Sequence, residues 1–217
     1  MSAATIDELT LADEPAHFSA LGFTVLDDCI QLGTVRLRLT GAGAGRGILG
    51  WSLRAIWSTE LDGLPTTCSD SAVPAPAGPH PNGIGAIDHV VAMTPALDRT
   101  VQALSNAGLD LRRIREEPTP AGAPRQAFFR LGAEILEVVQ EPEHVVAARD
   151  DGATRGARLW GLALLATDLD RTVATLGEHA GEVRDAVQPG RRIATVKRSA
   201  ELAVPVALMS SEERPSQ

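Results

Sequence analysis

Ile87-Asp88-His89-Val90-Val91-Ala92-Met93-Thr94-Pro95-Ala96-Leu97-Asp98-Arg99-Thr100-Val101 lies over Leu159-Trp160-Gly161-Leu162-Ala163-Leu164-Leu165-Ala166-Thr167-Asp168-Leu169-Asp170-Arg171-Thr172-Val173 at a constant offset of 72 residues. The run Leu-Asp-Arg-Thr-Val is identical in both copies. A long ungapped internal repeat requires a fold built of like units. Each unit opens with a short apolar run, which reads as a buried strand. Thr94 and Thr167 stand where an N-cap belongs, and Pro95 follows at a first helical position, where its missing N–H costs nothing. Leu97, Val101 and Leu104 recur at helical spacing, as do Leu169, Val173 and Leu176, so each helix carries one apolar stripe. Gly108 and Gly177 are placed to end these helices.

Working outward, three strand-like segments follow the first helix: Leu109–Arg115, Arg125–Leu131 and Glu134–Gln140, the last two joined by a tight hairpin at Leu131-Gly132-Ala133. The second copy continues with Glu182–Val187, Arg192–Arg198 and Leu202–Met209. The order is β-α-β-β-β twice. Thr5-Ile6-Asp7-Glu8-Leu9-Thr10-Leu11 lies over Ala86–Ala92 and opens a shorter third copy. This copy reads as a helix over Glu14–Leu21 and strands over Phe23–Leu26, Ile30–Thr40 and Ile48–Ile56. The expected division is a short leading module at 1–58, a proline-rich linker at 59–83, a full module at 84–140, a linker at 141–157, a second full module at 158–210 and a tail at 211–217. The fold class is α+β.

Composition excludes several chemistries. The 217 residues carry a net charge of −8, with 44% hydrophobic and 22% charged residues, the balance of an ordinary globular protein. An acidic chain with 3% aromatic residues lacks the basic, stacking face of a nucleic-acid binder. No apolar run approaches a membrane span, and no secretory leader is evident. Cys29 and Cys68 have neither zinc-site spacing nor disulfide density, so a reducing cytoplasm is the expected setting. Lys197 is the single lysine and tyrosine is absent, which removes Tyr/Lys reductase chemistry. Lys197 is followed by Arg198 rather than Ser or Thr, so there is no P-loop. Gly45-Arg46-Gly47-Ile48-Leu49-Gly50 matches Gly-x-Gly-x-x-Gly, but a strand and a proline-rich stretch follow it where a dinucleotide fold needs a helix.

The segments Ile87–Val91, Leu97-Asp98-Arg99 and Arg125–Val139 resemble a module of the vicinal-oxygen-chelate superfamily, which includes glyoxalase, bleomycin-resistance and extradiol-dioxygenase proteins. The resemblance is most specific over 86–140 and weaker over 159–209. It implies βαβββ modules whose paired sheets form a half-open bowl around a divalent metal. It places His89 as the first-strand ligand and Glu137 as the fourth-strand ligand. Imidazole and carboxylate donors suit Zn²⁺, Fe²⁺ or Mn²⁺. A carboxylate among apolar strand residues also needs a partner on physical grounds; a metal, Arg130 or Arg192 would serve. His89 is expected on one strand face with Ile87, Val91 and Met93, and Glu137 on one with Ile135 and Val139.

The chain departs from the family pattern in the second full module. Gly161 stands at the His89 position, and Val204 or Ala207 at the Glu137 position. Three arrangements remain open. The bowl binds a small organic molecule with its metal site reduced or lost; or Glu8 joins His89 and Glu137 in a metal-dependent lyase or dioxygenase; or a homodimer shares the ligands of two chains. Strand alternation sends Arg191 and Arg192 to opposite faces, with Arg192 the candidate to meet an anionic ligand. Of Phe128 and Phe129, one lines the cavity and the other packs under the helix, with Phe128 the candidate for the cavity. His80 sits in a turn sequence with no catalytic partner motif.

Overall fold

A computed structural model describes residues 3–119 and 122–211. All of the expected tail beyond residue 211 lies outside the described residues. In chain order the elements are β1 (Thr5–Leu11), α1 (Pro15–Ala20), β2 (Cys29–Leu32), β3 (Val35–Leu39), β4 (Ile48–Arg54), β5 (Thr66–Cys68), β6 (Ile84–Thr94), α2 (Leu97–Asn106), β7 (Asp110–Arg115), β8 (Gln126–Leu131), β9 (Glu134–Gln140), α3 (Glu143–Ala147), β10 (Arg158–Ala166), α4 (Leu169–Leu176), β11 (Arg184–Asp185), β12 (Arg192–Thr195) and β13 (Val206–Ser210). They form a five-stranded sheet, ordered β2-β3-β1-β4-β5, and an eight-stranded sheet, ordered β11-β12-β13-β10-β6-β9-β8-β7.

The eight-stranded sheet contains the two full units. In each, the fourth strand returns parallel to the first: β9 beside β6, and β13 beside β10. The first strands meet antiparallel, and the register shows their equivalence. Val91 faces Gly161 and His89 faces Ala163, so exchanging the two units reproduces the pairing. The motif common to both helices has a packing role. Leu97 and Leu169 are buried in the core, and Thr100 and Thr172 are buried with them. Each threonine hydroxyl donates within the fold, Thr100 to Ala96 O and Thr172 to Asn82 O. The expected caps shift by a residue or two. Thr94 Oγ1 accepts the Ala96 N–H just before α2, and Asp168 rather than Thr167 caps α4 by accepting the Arg171 N–H.

The leading portion differs from the expectation. Phe23–Leu26 forms only an isolated bridge, from Leu26 to Cys29. The stretch read as one strand, Ile30–Thr40, is the β2–β3 hairpin turning at Gly33, whose φ of +57° suits a residue without Cβ. β4 does not close the leading unit. It pairs antiparallel with β1, as β10 does with β6, and β5 runs parallel to it, as β13 does to β10. Residues 48–68 are therefore the first and last strands of a rudimentary fourth unit. Its last strand lies inside the stretch that prolines had marked as linker.

Both sheets turn an apolar face toward one core. Ile6, Leu9, Leu37 and Leu53 enter it from the five-stranded sheet, and Ile87, Val90, Phe129, Leu136 and Leu208 from the eight-stranded one. Burying each such side chain is worth roughly 1.5–3 kcal/mol. Strand alternation then commits the other face of each sheet to half-exposed and polar residues. Those two faces point away from the shared core.

Candidate functional site

His89 and Glu137 lie on the outward face of the eight-stranded sheet. His89 Nε2 is 3.3 Å from Glu137 Oε2, and the two side chains are 21% and 16% exposed. The spacing follows from β6 and β9 running side by side with Glu137 opposite Val91. Gln126, on β8, donates its amide to the other Glu137 oxygen. Burial pushes the Glu137 carboxyl above the ordinary range; His89 pulls the other way and Asp88 adds to the rise.

A bulge in β6 decides which residues stand beside His89. His89 pairs with Ala163 and Ile87 with Leu164, so Asp88 is an extra residue on β6. A bulge resets the alternation and re-aims side chains. Ile87, expected beside His89, faces the core instead at 2% exposure. Asp88, which simple alternation would send inward, stands next to His89 with Oδ2 2.7 Å from Nδ1. Its Oδ1 accepts from Arg191 Nη2 at 2.7 Å. Burial opposes the Asp88 charge, but the hydrogen bonds from His89 and Arg191 outweigh it and hold this carboxyl below the usual range.

Phe128 and Phe129 divide as alternation requires. Phe129 is fully buried, and Phe128 is opposite Glu137 on the outward face. The Arg113 guanidinium sits 4.6 Å from the Phe128 ring centre. A single register row thus runs Arg113, Phe128, Glu137, Val91, Gly161 across five strands. Arg192 does not join it. Its guanidinium turns to Asp170 of α4, at 2.9 and 3.0 Å, because it lies on the opposite face from Arg191. Arg191 points to the site, where it holds Asp88 rather than standing free for a ligand.

The second full unit supplies no side-chain donor at the matching places. Ala207 faces Ala163 as Glu137 faces Val91, which resolves the counterpart of Glu137 as Ala207 rather than Val204. Gly161 is constrained by backbone. A Cβ there would lie 3.0 Å from Pro205 O, the acceptor of the Leu162 N–H. Gly50 in the rudimentary unit repeats the constraint, its Cβ position being 2.9 Å from Pro65 O.

Glu8 is not brought to His89 and Glu137. It lies on the outward face of the other sheet, where Arg38 grips its carboxylate at 2.9 and 3.0 Å and Arg36 approaches at 3.4 Å. Among the described residues no group of three or more His, Cys, Asp and Glu side chains is placed to hold a metal ion. Two donors do fit one. Bonds of about 2.0–2.1 Å from nitrogen and oxygen to a tetrahedral ion put neighbouring donors about 3.3 Å apart, the separation of His89 Nε2 and Glu137 Oε2. His80, by contrast, is structural: Nδ1 accepts the Thr24 N–H and Nε2 lies 3.1 Å from Gln31 O. A shallow depression near Arg38, Glu14 and Asp28 lies away from His89 and Glu137, on the five-stranded sheet. No described helix is long and apolar enough to cross a membrane.

No protein-family model matches the sequence, and no curated protein is similar to it in sequence. Solved structures do match. A xylose isomerase-like TIM barrel/4-hydroxyphenylpyruvate dioxygenase fusion protein aligns with the whole chain at 14% identity and a TM-score of 0.61, this chain spanning 50% of that one. Methylmalonyl-CoA epimerase from Mycobacterium tuberculosis covers 59% of this chain and 89% of its own at 18% identity and a TM-score of 0.46. The Streptomyces coelicolor methylmalonyl-CoA epimerase covers 62% and 99% at 20% identity and a TM-score of 0.45. With its repeated units, parallel first and fourth strands and antiparallel joining of first strands, the chain has a glyoxalase-like fold.

Proposed function

We propose that this protein binds a small organic molecule on the outward face of the eight-stranded sheet, at a reduced metal site formed by His89 and Glu137 alone. The observation that carries this reading is the 3.3 Å approach of His89 Nε2 to Glu137 Oε2, set against Gly161 and Ala207 at the matching places. A divalent ion held there would act as a Lewis acid on adjacent oxygens of the bound molecule. Two protein donors leave most of the coordination shell to that molecule and to water. Phe128 supplies an apolar floor beside Glu137, and Arg113, held over its ring, supplies positive charge at the edge.

Among the described residues the carboxylate beside this pair, Asp88, is engaged by both His89 and Arg191 and is not free to act with Glu137. That favours binding over turnover. A metal-dependent enzyme assembled from Glu8 has no support, because Glu8 belongs to the other sheet and is engaged by Arg38. A homodimer that pools two His89–Glu137 pairs is the second reading, and stoichiometry separates it from the first.

The test is calorimetric titration of the protein with Zn²⁺ and Mn²⁺, alongside His89→Ala and Glu137→Gln. One ion per chain, lost in both variants, supports the two-donor site. Half an ion per chain, with a solution mass of two chains, supports the shared site. Uptake that survives both substitutions would sink the assignment of these residues.

A further inference from the structure

Asp88 and its equivalents reveal a built device. The β1–β4 register skips Asp7 in the same way as the β6–β10 register skips Asp88: Ile6 pairs with Leu53 and Glu8 with Ser52. Asp7 is therefore the bulge residue of the leading unit, one place before Glu8, as Asp88 is one place before His89. Both aspartates are gripped by an arginine from the neighbouring unit of their own sheet, Asp7 by Arg54 of β4 and Asp88 by Arg191. Both arginines are nearly buried, with side chains 8% and 7% exposed. A buried guanidinium is costly unless its donors are met. Arg191 meets this with Nε and Nη2 on Ser210 O at 3.0 and 2.8 Å, Nη1 on Gln188 Oε1 at 2.9 Å, and Nη2 on Asp88. These four hydrogen bonds commit the guanidinium to fixing the β11–β12 turn and the Asp88 carboxylate.

We infer that Asp88 and Arg191 are positioning residues: Arg191, from the unit that has lost its own donors, clamps Asp88 so that Asp88 holds the proton on His89 Nδ1 and aims Nε2 at Glu137. The inference deepens the proposed function and rests on that reading of His89. Its physical basis is geometric. One Asp88 oxygen is spent on Arg191 and the other on Nδ1, each at 2.7 Å. With Nδ1 donating, Nε2 presents its lone pair to the 3.3 Å gap before Glu137. A carboxylate on the far ring nitrogen fixes the tautomer and ring orientation of a ligating histidine, and its loss lowers metal affinity about 10–100-fold. The second full unit therefore keeps a role in the site without contributing a donor atom.

Two measurements on the intact chain test this. The first is Zn²⁺ titration of wild type, Asp88→Ala, Asp88→Asn, Arg191→Gln and Arg191→Lys. The second is ¹⁵N NMR of the imidazole rings without metal, at mildly alkaline pH, with the His89 signals identified by their loss in His89→Gln. Expected is a 10–100-fold weaker Zn²⁺ affinity in Asp88→Ala, a smaller loss in Arg191→Gln, and recovery in Arg191→Lys, whose ammonium still pairs with Asp88. The ring proton should sit on Nδ1 in wild type and redistribute in Asp88→Ala. A merely structural role would leave the proton in place in every variant that folds. Equal Zn²⁺ affinity and an unmoved proton in folded Asp88→Ala, or in Asp88→Asn and Arg191→Gln if the alanine variant fails to fold, would overturn the inference while leaving the metal site standing. A proton that sits on Nδ1 in wild type and redistributes in Asp88→Ala, in a protein that takes up no Zn²⁺, would sustain the inference and remove the metal.

Discussion

Glu8 and Arg38 meet across β1 and β3 at the two positions that His89 and Glu137 hold across β6 and β9. Glu8 aligns with His89 in the repeat. Thr10 faces Arg38 as Val91 faces Glu137. The leading unit thus has the same two-residue arrangement, with a carboxylate in place of the imidazole and a guanidinium in place of the carboxylate. The positive charge that a metal would bring to the eight-stranded sheet is carried covalently by Arg38 in the five-stranded one.

Removing that guanidinium should cost stability and nothing else. Arg38 is 44% exposed and Glu8 17%, so solvent screens the pair and discounts its worth. Arg36 remains to share the Glu8 charge. Arg38→Ala is expected to lower unfolding free energy by about 1 kcal/mol in urea titration, with Zn²⁺ uptake at His89 unchanged. A change in uptake would show that the two sheets are coupled.

Phe128 and Phe129 are neighbours in sequence with opposite duties. Phe129 is fully buried among core residues, and Phe129→Ala should cost about 3–5 kcal/mol through lost burial and the cavity left behind. Phe128 is half-exposed and carries Arg113 on its ring. Phe128→Ala should cost roughly 1 kcal/mol, while freeing Arg113 to sample other conformations. Paired denaturation curves decide it; equal losses would mean that the side chains are misassigned to their faces.

Gly161 explains why the second full unit lacks a first-strand donor. With a Cβ position 3.0 Å from Pro205 O, even alanine forces backbone to move, and Gly161→Ala should destabilise by about 1–3 kcal/mol. Ala207 has no such constraint, and Ala207→Ser should be tolerated within about 0.5 kcal/mol. Thermal unfolding of the two variants is the check. A harmless Gly161→Ala would mean that the donor was lost without a packing reason.

Much of this architecture was legible in the chain. The offset between Ile87–Val101 and Leu159–Val173 disclosed the repeated unit, and hydrophobic spacing located α2 and α4. The hairpin at Gly132 and the strands β7, β8 and β9 fell within a residue of expectation, because each is bounded by its own turn chemistry. The site was legible only in part. His89, Glu137 and Phe128 share one face as alternation suggests, but alternation also hid Asp88. A bulge inserts one residue without any signature in composition, and it moved Asp88 from the core face to the side of His89. Alternation sends Arg191 and Arg192 to opposite faces without saying which turns to the site; it is Arg191 and not the expected Arg192, since the choice depends on which face of β12 meets α4. β5 was hidden for a different reason: its three residues are too few for periodicity, and prolines surround them.

His80 predicts how acid acts on the fold. Its ring is half-buried against Phe23, with centres 5.3 Å apart, and joins the stretch before β6 to the leading unit through Thr24 and Gln31. Nδ1 accepts a backbone N–H, so the ring is held neutral, with its proton on Nε2. Burial is the larger influence and lowers its proton affinity; the bond to Gln31 O opposes it weakly. The native state therefore binds a proton at His80 less readily than the unfolded chain, whose imidazole titrates near 6.5. Between the two values the unfolded state holds more protons, so stability rises with pH across that interval. The contribution is complete above about pH 6.5 and is lost as the pH falls toward the lowered native value. His80→Asn keeps a polar side chain without the titration. Urea midpoints measured from neutral pH down to the onset of carboxylate protonation should fall more steeply in wild type than in His80→Asn. Parallel curves would place the acid sensitivity elsewhere and reduce His80 to a packing residue.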